Sequence, residues 1–152
     1  DLHSVPKLEA IQGEPLYFGV DFGLTPALVI IQITARGQIR VLKEYVAEDI
    51  GIKTFAQNIV IPRLAIDFPY CKISEGEGDP AGAKGDEIME ELSCIGELNN
   101  LGLKTNAANT NDISVRVNSV RHFLNLMINQ YTFFVQTSHL PLLEVCHRTP
   151  PG

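Results

Sequence analysis

Between Leu16 and Tyr45 three apolar-rich runs are separated by short turns, the last alternating apolar and polar positions, and from Ile52 apolar residues recur at spacings of three and four. The first region predicts strands. Leu16-Tyr-Phe-Gly-Val-Asp-Phe-Gly23, Ala27-Leu-Val-Ile-Ile-Gln-Ile-Thr34 and Ile39-Arg-Val-Leu-Lys-Glu-Tyr45 are rich in β-branched and aromatic residues. Their tight connections make them an antiparallel meander. Ile52, Phe55, Ala56, Ile59 and Val60 then mark a helix, and Leu64 and Ala65 extend its stripe past Pro62, where a kink or an end is expected. Cys71-Lys-Ile-Ser74 begins a fourth strand that ends near Gly78-Asp-Pro-Ala-Gly82. Asp86 to Leu98 is a second helix, stopped by Gly102, and Leu103 to Ala107 is a short strand. Asn109-Thr-Asn-Asp112 offers N-caps to a third helix, whose apolar stripe of Val115, Val117, Val120, Phe123, Leu124 and Met127 faces the core. Thr132 to Thr137 is a last strand and Leu140 to Val145 a helical turn. Residues 1–15, with Pro6, Gly13 and Pro15, read as a lead-in, and 148–152 as a frayed tail.

A three-stranded antiparallel meander followed by alternating helices and strands is an α/β chain: a mixed sheet with helices on both faces. That is the element order of the ribonuclease H-like fold. The 152 residues, 45% of them apolar, suit one globular domain spanning 16–147, burying roughly 70% of the surface its unfolded chain exposes. They are too few for a complete ATP-driven motor. The longest apolar run, Ala27 to Ile31, is strand-sized, far below the ~20 residues that cross a bilayer. The start at Asp1 and the absence of a signal-peptide pattern read as a piece of a longer polypeptide.

Charge adds a distribution to this frame. Eighteen acids against twelve Lys and Arg give a net charge of −6, which argues against a nonspecific basic coat for nucleic acid. Eight of the acids fall between Ser74 and Leu98, whereas Lys104, Arg116, Arg121 and Arg148 outnumber Asp112 and Glu144 after Asn99. An acidic metal site beside a mildly basic surface fits that segregation; a solvated helix face accounts for part of it. Cys71, Cys94 and Cys146 are odd in number and lack metal-ligand spacing, as in a reduced chain without a zinc site.

Two acids stand out by position. Asp21 lies in an apolar strand, where a carboxylate is costly unless paired or bound to a cation. Asp79 falls where the fourth strand ends, and ligand groups in α/β sheets gather outside the carboxyl ends of strands. If those strands are neighbours the two carboxylates converge, and Mg²⁺ or Mn²⁺ accepts such oxygens. Each also has a plainer reading: Asp21 closing a turn before Phe22-Gly23, and Gly78-Asp-Pro opening one. Glu75 and Glu77 flank the same strand end as solvated acids or outer supports. His3, His122, His139 and His147 have no paired spacing, and neither a GxxxxGK[ST] loop nor a GxSxG elbow is present.

Gly19-Val-Asp-Phe-Gly23, Gly78-Asp-Pro-Ala-Gly82 and Thr110-Asn-Asp-Ile-Ser-Val-Arg116 with Val120 and Leu124 together resemble the C-terminal nuclease domain of tailed-phage terminase large subunits. The resemblance covers residues 16 to 137. It implies a metal-dependent, two-ion DNA endonuclease that cuts concatemeric viral DNA during packaging, with Asp21 and Asp79 as catalytic metal-binding carboxylates and Mg²⁺ or Mn²⁺ as cofactor. It implies Arg116, with Arg121 nearby, as DNA-facing. It further implies double-stranded DNA, a terminase ATPase domain ahead of residues 1–15, a portal and a small terminase subunit as partners, no membrane, and the bacterial host cytoplasm as location. The family has a further acidic ligand beyond the last strand; here Leu140 to Gly152 diverges, and Glu144 and Asp112 are the acids available to replace it. A second reading is therefore a catalytically inactive DNA- or portal-binding packaging module from a truncated prophage gene. A third, a fragment of an actin-like ATPase, rests on Asp21-Phe-Gly-Leu-Thr25 and lacks a second nucleotide-binding lobe.

Overall fold

The computed structural model describes residues 4–80, 93–110, 112–125 and 133–136. Among these, seven strands form one sheet: β1 Ser4–Val5, β2 Leu16–Asp21, β3 Ala27–Ile33, β4 Ile39–Val46, β5 Ile73–Gly78, β6 Thr105–Ala107 and β7 Phe133–Gln136. Their order is β1-β7-β4-β3-β2-β5-β6. The meander is β2-β3-β4, and β3 is antiparallel to both neighbours while every other pair is parallel. The carboxyl ends of β2, β5 and β6 therefore lie together at one rim of the sheet, beside the start of β3.

A continuous helical run follows β4: α1 Ile52–Phe55, a π-helical turn Ala56–Val60, and α2 Ile61–Asp67. Pro62 does not end it. A proline cannot donate to the carbonyl four residues back, and its ring crowds that carbonyl. Ile61 N–H reaches instead to the Ala56 carbonyl five residues back, and this wider turn just ahead of Pro62 lets the helix continue into α2. Tyr45 Oη on β4 donates to Asp67 Oδ2 at 2.9 Å, tying the end of α2 to the sheet. Burial and that bond push the Tyr45 hydroxyl above its ordinary pKa.

One face of the sheet makes the core. The alternate residues Leu16, Phe18 and Val20 of β2 and Leu28 and Ile30 of β3 meet Phe55, Ala56, Val60 and Leu64 of the helical run and Leu98 of α3, Cys94–Asn100. Ser93 caps α3 by accepting from the Gly96 N–H at 3.0 Å. The rest of the helix expected over Asp86 to Leu98 lies outside the described residues, as do Met127, the turn expected over Leu140 to Val145, and the tail.

The lead-in is part of the sheet. Ser4–Val5 pairs in parallel with β7, and the fully buried Gln32 holds the segment that follows. Its Nε2 donates to the carbonyls of Ile11 and Glu14, and its Oε1 accepts from the Ile11 N–H at 2.8 Å. A buried amide on the core face of β3 thus replaces the backbone partners that residues 11–14 would otherwise lack.

The fourth helix, α4 Ile113–Asn125, lies on the crossover from β6 to β7. The connections β5-α3-β6 and β6-α4-β7 travel in opposite directions across the sheet. Of the apolar stripe read as core, Val115, Val117 and Val120 are 50, 40 and 48% exposed among the described residues. Helical spacing gathers apolar residues onto a face, but a face is buried only where another layer reaches it. No helix among the described residues is long and apolar enough to cross a membrane.

Candidate functional site

Val20 on β2 is in register with Gly78 on β5. One residue further along each chain are Asp21 and Asp79, on adjacent strands about 4.8 Å apart. The Ala108 N–H, just past β6, donates to the Gly78 carbonyl at 2.8 Å and holds the third strand end against the second. Two glycines make this close register possible. A Cβ on Gly76 would sit inside contact distance of the Phe18 ring, and one on Gly78 would lie 2.5 Å from Phe22 Cε2. The Phe18 and Phe22 rings therefore lie across β5.

These strand ends enclose a cleft of about 490 Å³ lined by Asp21, Glu77 and Asp79, with Gly19, Ala27 and Val29 on its floor and Ala108, Asn109 and Thr110 along one wall. Asp21 is exposed on β2, paired with Ala27 of β3. Its carboxylate makes no hydrogen bond or ion pair among the described residues, so the turn-closing role is not what holds it there. Glu77 belongs to the same opening: the period of two along β5 turns it to the face that Asp79 continues, and it lines the cleft as a strand residue.

The neighbouring acids are otherwise committed. Glu75 Oε2 accepts from Lys104 Nζ at 2.7 Å and from Asn106 Nδ2 at 3.3 Å. Hydrogen bonding to the Lys104 ammonium holds the Glu75 carboxyl below its ordinary pKa. Asp112 caps α4, its Oδ1 accepting from the N–H groups of Ser114 at 2.7 Å and Val115 at 3.4 Å. The Ser114 N–H lowers its pKa. Because the folded-state value is depressed, this stabilisation is present above the ordinary aspartate range and is lost as pH falls through the lowered value. Asp112→Ala is expected to speed hydrogen exchange at the Ser114 and Val115 amides, and Asp112→Asn, which also caps, to leave it nearly unchanged. Equal exchange in both variants would contradict the capping role.

Arg121 is exposed on α4 and is not among the residues lining the cleft. Arg116 lies on α4 with its side chain outside the described residues, and Glu144 is outside them altogether. Among the described residues no three His, Cys, Asp or Glu side chains gather into a set that could hold a metal ion. What the cleft offers is the carboxylates of Asp21, Glu77 and Asp79, all hard oxygen donors. That donor set suits Mg²⁺ or Mn²⁺, because Mg²⁺ usually keeps several waters and uses one or two carboxylates plus substrate phosphates. Glu77, Asn109 and Thr110 were not singled out from the sequence as cleft residues. The signal for Glu77 was its two-residue spacing from Asp79; Asn109 read as a helix cap, and Thr110 as a cap and as the start of the motif Thr110–Arg116.

A mixed sheet with its meander, crossover helices and acidic strand ends defines the ribonuclease H-like architecture of terminase nuclease domains, and comparison with solved structures bears out that fold. The chain matches the large terminase of a thermophilic bacteriophage at 18% identity and a TM-score of 0.68, over 91% of this chain and 32% of that one. It matches the P22 large terminase nuclease domain at 13% identity and a TM-score of 0.66, over 94% of this chain and 72% of that one. A third match, at 16% identity and a TM-score of 0.51, is the large terminase nuclease of a second thermophilic phage, G20c, with bound magnesium, covering 84% of this chain and 60% of that one. The chain spans about a third of the length of the first of these proteins. No protein-family model matches it, and neither does any curated protein.

Proposed function

We propose that this chain is a metal-dependent DNA endonuclease module of a phage packaging terminase, with Asp21 and Asp79 holding Mg²⁺ or Mn²⁺. One observation carries the reading: β2 and β5 are parallel neighbours whose register brings these two acids into one cleft. The terminase-nuclease fold supports it, as does the magnesium in the G20c nuclease. Asp21 and Asp79 would hold the ion, while Asn109 and Thr110 offer polar groups along the wall for a substrate's phosphates. The chemistry a bound Mg²⁺ or Mn²⁺ supplies is stabilisation of phosphodiester charge and generation of a nucleophile from water at neutral pH. Arg116 and Arg121 on α4 are the DNA-facing cations of this reading, since phosphate neutralisation is local and independent of net charge.

In this account 16–147 is the nuclease domain, 1–15 leads from a terminase ATPase domain, and 148–152 is its tail. Double-stranded viral DNA is the substrate, the portal and small terminase subunit are partners, and the host cytoplasm is the place of action.

Calorimetric titration with Mn²⁺ tests the ion site. Two like charges held together destabilise the metal-free fold. Asp21→Asn is therefore expected to weaken Mn²⁺ binding by more than about tenfold and to leave the metal-free melting temperature unchanged or raised. Undiminished binding, or a clear loss of metal-free stability, would make Asp21 a structural residue. A second reading, a packaging module that binds DNA or the portal without cutting, is favoured by the lack of a gathered third ligand among the described residues. Negligible Mn²⁺ binding by the unaltered chain would decide for it.

A further inference from the structure

Gly19 occupies the middle of β2, where a glycine weakens a strand and needs a reason. The usual reasons are absent. Pairing with β3 is continuous from Tyr17 to Asp21, and pairing with β5 is continuous from Phe18 to Val20, so there is no bulge at this position. Gly13, Gly37 and Gly102 have positive φ, but Gly19 does not. Gly76 and Gly78 make room for the Phe18 and Phe22 rings, whereas a Cβ on Gly19 would meet nothing within 4 Å. Gly19 is exposed, and its register partners on the two flanking strands are Val29 and Glu77. With Asp21 two residues further on, it forms the bare part of the cleft floor.

We propose that Gly19 is a positioning residue that keeps this floor flat, so that the sugar–phosphate backbone of a polynucleotide seats beside Asp21 and Asp79. The proposal rests on the nuclease reading above and adds to it where the strand lies. A methyl group here would lift that backbone by roughly an ångström without disturbing the fold, since no described atom of the protein occupies the space. Misplacement of that size at a reacting centre costs up to about 100-fold in rate.

The experiment compares the unaltered chain with Gly19→Ala and Gly19→Leu in four measurements. These are melting temperature without metal, Mn²⁺ affinity by calorimetry, binding of a fluorescently labelled DNA duplex by anisotropy, and Mn²⁺-supported nicking of supercoiled plasmid. Gly19→Ala is expected to melt at the same temperature or higher and to bind Mn²⁺ normally. Its nicking should fall roughly 10- to 100-fold, and Gly19→Leu should lose duplex binding as well. A drop in melting temperature for Gly19→Ala would show that Gly19 serves the chain's own packing and would overturn the proposal. So would unchanged nicking and duplex binding in both variants. Duplex binding reads the seat even in a chain that does not cut. Failure of Mn²⁺ binding in the unaltered chain removes the ion reading separately, and duplex binding insensitive to Gly19→Leu removes the seat.

Discussion

Asp79→Ala is expected to reduce Mn²⁺-supported nicking of supercoiled plasmid by more than about 100-fold, the upper range for groups that only support a metal's ligands, while leaving the metal-free fold intact. Asp79 follows the last residue of β5 and lines the cleft with Asp21, and in the proposed reading its carboxylate is a ligand of the ion. Removing it leaves Asp21 and Glu77, able in this reading to attract a cation loosely but not to fix it against a phosphodiester. The loss should appear in rate much more than in duplex binding, which depends on neutralising phosphates elsewhere. With two gathered carboxylates, Mn²⁺ should support cutting better than Mg²⁺, which demands near-ideal octahedral geometry. Cutting that survives Asp79→Ala would mean a different active site.

The second large effect is on stability. Gly76→Ala places a methyl group within the contact radius of the Phe18 ring. Phe18 is only 4% exposed and belongs to the main core cluster, so it cannot swing aside into solvent. Overpacking of this kind costs about 1–3 kcal/mol, a fall of several degrees in melting temperature for a domain of this size. Any relief would have to come from moving β5 away from β2, which would also disturb the register that brings Asp79 to Asp21. Metal affinity should therefore fall together with stability. A Gly76→Ala chain with an unchanged melting temperature and full metal affinity would show that the Phe18 ring has room that the packing denies it. Gly19→Ala, on the same strand pair but over open space, is the internal contrast.

The meander was legible because β2, β3 and β4 bury alternate residues, and a period of two is visible in one chain. The placement of Asp21 and Asp79 at strand ends was legible for a related reason: Asp21 closes an apolar strand segment and Asp79 follows a glycine-rich one. The two-residue strand β1 was not, because two residues carry no period and its pairing with β7 joins positions 131 residues apart. Pro62 carried a local rule that the π turn of Ala56–Val60 circumvented. The half-exposed Val115, Val117 and Val120 show the limit of the helical period: it orders residues around an axis and says nothing of what stands opposite. Glu77 read as a solvated acid or an outer support of the strand end, and its face follows only once the strand is known to run through Gly78. The packing role of Gly76 and Gly78 needed the rings of Phe18 and Phe22, which are distant in sequence and meet them only through strand pairing.

Anomalous diffraction from crystals of the chain grown with Mn²⁺ tests the central claim most directly. The account predicts a manganese peak in the cleft that Asp21 and Asp79 line, and its loss in Asp79→Ala crystals. Manganese bound only at other acids, such as Glu75 or Asp112, with none between Asp21 and Asp79, would contradict it.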